Sequence, residues 1–335
     1  MRIKKKPFLT TITGILIFAV LLTAGFTVIR AIGKNRLQSR AEQSSAPVRY
    51  QGTLYEYNEN IITFLVMGID KGKEIFEPWE AESDNSGNGQ ADALFLAVLD
   101  TEKHTIKVIG INRNTMTDIF LCDDAAGSSV PTFFSQLALQ HAYGANGQIG
   151  CEYQVKVVQN LFYQLPIQGY VAINVDAIPT INDMIGGVDV DVLEDITLHD
   201  PSLVAGNRVH LMGETAYWYV KYRDIEQFAS VDMRTKRQAQ YLNGFIDAAK
   251  QSVKKDPFLA FQLYQALEPH MDTDISAVEA VYLASVLPQY QFDENSFYRI
   301  PGETVMGEKY EEFYPDEDAL LALILDIFYK ETGEM

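Results

Sequence analysis

The sequence predicts an α/β domain with helices on both faces of a sheet, preceded by one N-terminal transmembrane helix. Short apolar, β-branched runs alternate with segments whose apolar residues recur at helical spacing, from Ile61 to the end of the chain. The uncharged run Pro7–Ile29 is long enough to cross a bilayer, which takes about 20 apolar residues. No internal repeat of roughly 20–50 residues is present, so a solenoid is excluded.

Bulk properties narrow the classes. A chain of 335 residues allows two domains at most, at about 150 residues each. Hydrophobic content of 47% and aromatic content of 11% are enough for a packed core. A formal charge of −18 excludes nucleic acid as the main partner, because a duplex repels such a surface. It equally argues against simple adhesion to anionic lipid.

Residues 1–6 carry Arg2, Lys4, Lys5 and Lys6 and read as a short cytoplasmic tail. Residues 7–30 read as an uncleaved anchor, since a signal peptide has a shorter apolar part and a small-residue cleavage site. Basic residues on both sides of the span leave its orientation nearly undecided. Cys122 and Cys151, an even and minimal pair in loop-like sequence, favour the extracytoplasmic side. They are expected to form one disulfide, with two unrelated thiols as the alternative. Residues 31–58 are polar and read as a stalk, leaving 59–335 as the domain.

Within it, Ile61–Asp70 reads as a buried strand whose end presents Asp70, and Lys71–Gly89 as a surface loop or lid. Ala91–Asp100 and Thr105–Asn114 form a hairpin candidate. Ser135–Tyr143 and Glu152–Leu165 carry helical apolar stripes. Gly169–Val175 is a strand and Asp176 opens a short helix. Gly186–Val192 alternates Val and Asp as a half-exposed strand does; it lacks the spacing of a calcium loop. Helices are expected over Pro257–Leu267, Ser276–Leu287 and Pro315–Tyr329, with a short strand at Ser296–Gly302. Residues 256–335 thus read as a C-terminal, mainly helical part.

The chemistry gathers around Tyr217–Gln240. The apolar run Ala216–Val220 leads directly into Lys221 and Arg223. Arg234 and Gln238 share a helical face, with Tyr241 one turn on. Cations from one element and an Arg–Gln face from the next make a socket for an anion, because a guanidinium grips phosphate oxygens in pairs. Asp70, Asp92 and Arg113 lie at strand ends. If they converge there, the carboxylates would hold Mg2+ while phosphates complete its shell. No nucleophile triad, P-loop or dinucleotide fingerprint is present.

Several short motifs stand in one order and spacing: FLVMGID, QADALFLAVLD, INRNT, LALQHAYG, IGGVDVDV, YVKYR and RTKRQ. In that arrangement, over about Ile61–Phe245, the chain resembles the LytR-CpsA-Psr family. The resemblance implies a three-layer α/β/α domain with a central mixed sheet, outside the membrane. It implies a Mg2+-dependent phosphotransferase that moves a polyprenyl-pyrophosphate-linked glycopolymer, of teichoic acid or capsule type, onto peptidoglycan. By position, Asp70, Asp92, Arg113, Arg223 and Arg234 would be catalytic. Gln90, Lys221 and Gln238 would contact the pyrophosphate, and Asp70 and Asp92 would bind the metal. Val155–Phe162 would line a lipid groove or pack in the core. The chain departs from the family pattern at Gln90, Asn114 and Lys221, where the family has Arg, Asp and Arg. Those departures suggest an alternative, a non-catalytic binder or sensor of lipid-linked precursors.

Overall fold

A computed structural model describes residues 27–40, 47–70, 88–121, 131–224, 227–228, 230–256 and 258–333. Helix α1 covers residues 27–40. Strands β1 (Val48–Tyr50), β2 (Thr53–Tyr57), β3 (Ile61–Asp70), β4 (Gln90–Asp100), β5 (Thr105–Ile111), β6 (Met116–Phe120) and β7 (Thr132–Gln136) follow. After α2 (Gly147–Leu161) come β8 (Gly169–Asn174), α3 (Ile178–Met184), β9 (Val188–Asp191), β10 (Arg208–Leu211), α4 (Gly213–Lys221) and α5 (Ser230–Lys255). The last part holds α6 (Leu259–Leu267), β11 (Met271–Thr273), α7 (Ala277–Val286), β12 (Phe297–Arg299), β13 (Gly302–Met306), β14 (Glu311–Pro315), α8 (Glu317–Phe328) and β15 (Tyr329–Gly333).

The central sheet has six strands in the order β11-β8-β3-β4-β5-β12. It is mixed: β3 and β8 are parallel, as are β5 and β12, while β3–β4–β5 and β8–β11 are antiparallel. Strand periodicity sorts its side chains. Leu65, Met67, Leu94, Leu96, Ile109 and Ile111 face one cluster with Val157 and Val158 of α2 and Leu320 and Ile324 of α8. Ile62, Phe64, Leu99, Ile106 and Val108 face the other with Leu37 of α1 and Tyr282, Leu283 and Val286 of α7. Helices therefore cover both faces. A third cluster joins α3, β9, β10, α4 and Tyr241 of α5, and it carries the helix pair that bears the cations.

Several elements depart from the sequence expectation. Ser135 and Gln136 end strand β7, which pairs antiparallel with β6, and only one 3-10 turn follows at Leu137–Gln140. The preceding Thr132, Phe133 and Phe134 favour a strand, and cross-strand pairing overrides the helical spacing. Helix α2 starts at Gly147, before the expected Glu152, because the Asn146 side chain accepts from the Ile149 N–H at 3.0 Å. Val157, Val158 and Phe162 are buried in the core that α2 forms with the sheet. Strand β5 stops at Ile111, where the Asn112 side chain turns the chain back on the Asn114 N–H at 2.9 Å. Arg113 therefore sits on a turn. Residues 256–335 supply five strands as well as helices, and two of them, β11 and β12, close the edges of the central sheet.

Part of the segment expected as a stalk packs on the domain. Leu37 is fully buried, β2 pairs with β15, and Arg40 reaches Asp274 at 3.2 Å and the buried Glu279 at 3.4 Å. Gly33 lies so close to α7 that a Cβ there would stand 2.4 Å from the Val278 carbonyl oxygen. Of the expected anchor, only residues 27–30 are described, and among the described residues no helix is long and apolar enough to cross a membrane. Most of the expected lid, 71–87, lies outside the described residues. So does Cys122, which leaves the expected bridge to the buried Cys151 outside them too.

Leu37→Ala is expected to cost about 2–4 kcal/mol, the usual range for emptying a filled core site. The comparison variant Leu198→Ala, at a position 85% exposed, should stay within about 0.5 kcal/mol. Urea denaturation of both measures the contrast, and equal midpoints would refute the docking of α1.

Candidate functional site

The site is built on an irregularity where β3 meets β4. Asp70 pairs with Gln90 and Ile69 with Ala91, but Gly68 pairs with Ala93, so Asp92 is an extra residue in a β-bulge. A bulge re-aims a side chain, and bulges gather at sheet ends and sites. Gly89, just before β4, has φ +74°, and a Cβ there would meet the Asp70 carbonyl oxygen at 2.4 Å. Only glycine suits that turn.

Asp92, about a fifth exposed, receives two arginines from different elements. Arg113 Nη1 lies 3.1 Å from Oδ1, and Arg234 Nη1 lies 3.4 Å from Oδ2. Arg234 also donates through Nη2 to the Asp92 backbone carbonyl at 3.1 Å. The second fork of Arg113 donates to the Gln90 side-chain oxygen. Next to them, Lys221 Nζ lies 3.2 Å from Asp70 Oδ2 and donates to the Tyr217 hydroxyl at 2.7 Å. Arg223 donates to Ser230 Oγ at 3.2 Å and faces Glu311 Oε2 at 3.7 Å. Gln238, by contrast, is buried and donates to the Val220 carbonyl at 3.3 Å, so it serves the end of α4.

Arg237 holds the two helices in this relation. It is fully buried, pairs through Nε with Glu194 at 2.7 Å, and donates to the backbone carbonyls of Tyr219 and Tyr222. Those carbonyls flank Val220 and Lys221, so one side chain of α5 fixes where α4 delivers Lys221 and Arg223. The end of an α-helix leaves carbonyls without intrahelical partners, and here the guanidinium supplies them. Sequence reasoning quoted Arg237 within the RTKRQ motif and gave it no role. It missed Glu311, Tyr217 and Ser230. Glu311 lies 88 positions from Arg223 (311 − 223) and meets it only because β14 runs beside the turn that holds Arg113 and Asn114. The Phe313 N–H there donates to the Asn114 carbonyl at 2.9 Å.

The electrostatics favour an added anion. Burial alone pushes the Asp92 carboxyl up, but Arg113, Arg234, Arg223 and Lys221 together hold it below the ordinary carboxylate range. Burial pulls Arg234 down to about 10 against the pull of Asp92, with Arg113, Arg223 and Arg237 adding to the fall. Arg223 is lowered by burial and by Arg113, against Glu311 and Asp92. Burial lowers Lys221, but the Tyr217 hydroxyl and Asp70 outweigh it and raise its pKa. Arg113, Lys221, Arg223 and Arg234 thus face Asp70, Asp92 and Glu311, four cations to three carboxylates. Arg113 lowers both Arg223 and Arg234, and Arg223 lowers Arg234 as well, so a further negative group would relieve the site.

Among the described residues no group of three or more His, Cys, Asp and Glu is placed to hold a metal. Asp70 and Asp92, on neighbouring paired strands, offer two hard oxygen ligands. That is the protein share usual for magnesium, which keeps waters and takes the rest of its shell from substrate phosphates.

Comparison with known proteins places the family and the fold. The model of the LytR_cpsA_psr family matches residues 26–324. The polyisoprenyl-teichoic acid–peptidoglycan teichoic acid transferase TagV of Bacillus subtilis is 25% identical over 240 residues, 69% of this chain and 56% of that protein. The crystal structure of B. subtilis TagV superposes with a TM-score of 0.57 at 25% identity, over 80% of this chain and 98% of that one. Protein gbs0355 of Streptococcus agalactiae shares the fold with a TM-score of 0.62 at 18% identity, over 82% of this chain and 91% of that one. The chain spans about half the length of the curated relatives it matches, 56% of TagV and 49% of a Bacillus anthracis TagU.

Arg237→Met is expected to destabilise the protein by about 1–3 kcal/mol, because the helix-end carbonyls of Tyr219 and Tyr222 lose their donor and the partly exposed Glu194 loses its ion pair. Thermal melting tests this, and an unchanged melting temperature would refute the anchoring role. Asp92 gives a pH signature. Its depressed pKa contributes stability fully above the ordinary carboxylate value, about pH 4, and loses it as pH falls through the lower folded value. Asp92→Asn should therefore flatten the fall of the urea midpoint below about pH 4; a parallel fall in both proteins would show that Asp92 does not titrate this way.

Proposed function

The chain belongs to the LytR_cpsA_psr family, and from that premise we propose that it transfers a polyprenyl-pyrophosphate-linked glycopolymer onto peptidoglycan. The observation that supports this most is the convergence of Arg113, Arg223, Arg234 and Lys221 on two strand-end carboxylates. The polymers named for its relatives, teichoic acids, make the first substrate class to try. The run 7–30 would anchor the chain, with residues 1–6 inside and the domain facing the wall.

In the reaction, an acceptor hydroxyl attacks the phosphorus that carries the glycopolymer. The P–O bond to the second phosphate breaks, polyprenyl phosphate leaves, and the hydroxyl proton passes to a base. Arg113, Arg223 and Arg234 would grip the pyrophosphate oxygens, exchanging part of their hold on Asp92 and Glu311 for the substrate. Lys221, tied to Asp70 and Tyr217, would steady the charge on the leaving phosphate. Asp92 is a poor base, since the surrounding cations stabilise its ionised form. Its work is to orient Arg113 and Arg234, which leaves Asp70 as the candidate to take the proton. Asp70 and Asp92 are the ligands that would hold magnesium, which when bound neutralises charge on the pyrophosphate.

A second reading, a binder of lipid-linked precursors without turnover, draws support from two departures. Gln90 accepts from Arg113 where a cation would otherwise add charge, and the Asn114 side-chain amide nitrogen is buried with no hydrogen-bond partner among the described residues.

The full chain in detergent, given a short-chain polyprenyl-pyrophosphate saccharide, a peptidoglycan fragment and magnesium, should release polyprenyl phosphate. Binding without release would favour the second reading, and no binding would end both. Arg223→Ala should weaken pyrophosphate binding about 10–100-fold, the equivalent of one charge-assisted contact. Isothermal titration with the saccharide measures it, and unchanged affinity would remove Arg223 from the grip.

A further inference from the structure

A second cationic feature lies outside the site. A cavity of about 290 Å3 is lined by Lys236, Ala239, Gln240 and Asn243 of α5 and by Phe297 and Arg299 of β12. Lys236 and Arg299 are exposed, and among the described residues neither has a carboxylate within ion-pair distance. That is notable in a chain with 45 acidic against 27 basic residues. The Asn243 amide likewise has no hydrogen-bond partner among the described residues. Gln240 is already committed, to the Asp191 carbonyl at 2.9 Å and to the Tyr219 hydroxyl, which fixes the wall it forms. Phe297 contributes an aromatic ring set against Phe95, with centroids 6.1 Å apart.

The groove neighbours the cation cluster through two elements. Helix α5 carries Arg234 and, two positions later, Lys236. Strand β12 pairs in parallel with β5 so that Arg299 stands opposite Gly110, three residues before Arg113. From Lys236 to Asn243 the helix rises roughly 10 Å. Asp247 lies one turn beyond Asn243, so the cationic end of the groove is the end nearer Arg234.

We propose that this groove binds the glycopolymer itself, as a phosphodiester-linked polyol or sugar chain, one repeat or two away from its lipid pyrophosphate. The assignment rests on the transferase reading above and adds to it where the polymer runs and which residues would hold it. Lys236 and Arg299 meet backbone phosphates, Asn243 meets hydroxyls, and the Phe297 ring meets apolar faces of the repeat. A neutral glycan lacks the charge that these two cations answer.

The test uses the full chain in detergent, with an oligo(glycerol phosphate) of about ten repeats as polymer probe and farnesyl pyrophosphate as headgroup probe. Chitotetraose serves as the neutral control. The double variant Lys236→Ala/Arg299→Ala should bind the oligomer at least tenfold more weakly. The slope of log affinity against log salt should fall by about two, one for each cation removed. Farnesyl pyrophosphate binding should not change. Arg223→Ala should show the reverse pattern. Unchanged oligomer binding in the double variant, equal binding of chitotetraose by the parent, or a matching loss of farnesyl pyrophosphate would overturn the proposal. Failure of farnesyl pyrophosphate to bind the parent chain would sink the transferase reading instead, and the oligomer titration would still judge the groove.

Discussion

One carboxylate shared between two arginines organises this molecule. Asp92 is offered by a bulge in the sheet, Arg113 arrives from the turn after β5, and Arg234 from the first turns of α5. None of these is near the others in the chain. An isolated buried cation is expensive, and a buried ion pair can cost as much in desolvation as it returns. Arg234 is 4% exposed, so it depends on Asp92 for its charge, and Asp92 depends on both arginines to stay ionised. The pair is therefore weak as an explanation of stability and strong as an explanation of position. It holds guanidinium groups where the substrate anion proposed above would meet them.

The surrounding fold confirms that division of labour. Arg237 spends its hydrogen-bonding capacity on the protein: one carboxylate and two helix-end carbonyls. Among the described residues Arg223 has Ser230 and a long contact to Glu311, leaving much of its fork uncommitted there. Two arginines on neighbouring elements thus do opposite work, and their partners tell them apart. The overall charge of −18 repels an anionic substrate at a distance. Recognition must then come from these close, partly buried contacts, which salt screens much less than exposed ones.

Much of this was legible in the sequence, and the rest was hidden for physical reasons. Strands β3, β4 and β8 are long or strongly apolar, and they fall where the pattern puts them. The face shared by Arg234, Gln238 and Tyr241 follows from helical spacing, and all three are buried. Local pattern could not reveal the bulge, because a register shift is a relation between two strands. Nor could it reveal Glu311, an ordinary acidic residue until β14 is laid beside the β5 turn. Gln238 shows the opposite failure: the residue is in the predicted place, but its amide is used by the Val220 carbonyl. The α1 segment looked like a stalk because Leu37, its one buried large apolar residue, sits among polar neighbours.

The departures from the family pattern acquire meaning in this geometry. Gln90 sits opposite Asp70 across the sheet and accepts from Arg113. An arginine there would put a further cation against Arg113, so glutamine lowers the local repulsion while it removes one phosphate contact. Lysine at 221 acts in the same direction. Its single ammonium is committed to Asp70 and Tyr217, where a guanidinium would keep donors to spare. Gln90 thus lowers the repulsion and Lys221 narrows the donor set, and in the proposed transfer both leave the grip on phosphate to Arg113, Arg223 and Arg234. On the proposed reading, a chain with one cation fewer at its headgroup site would gain most from cations placed further along the substrate, and Lys236 and Arg299 stand on the same helix and the adjoining edge strand.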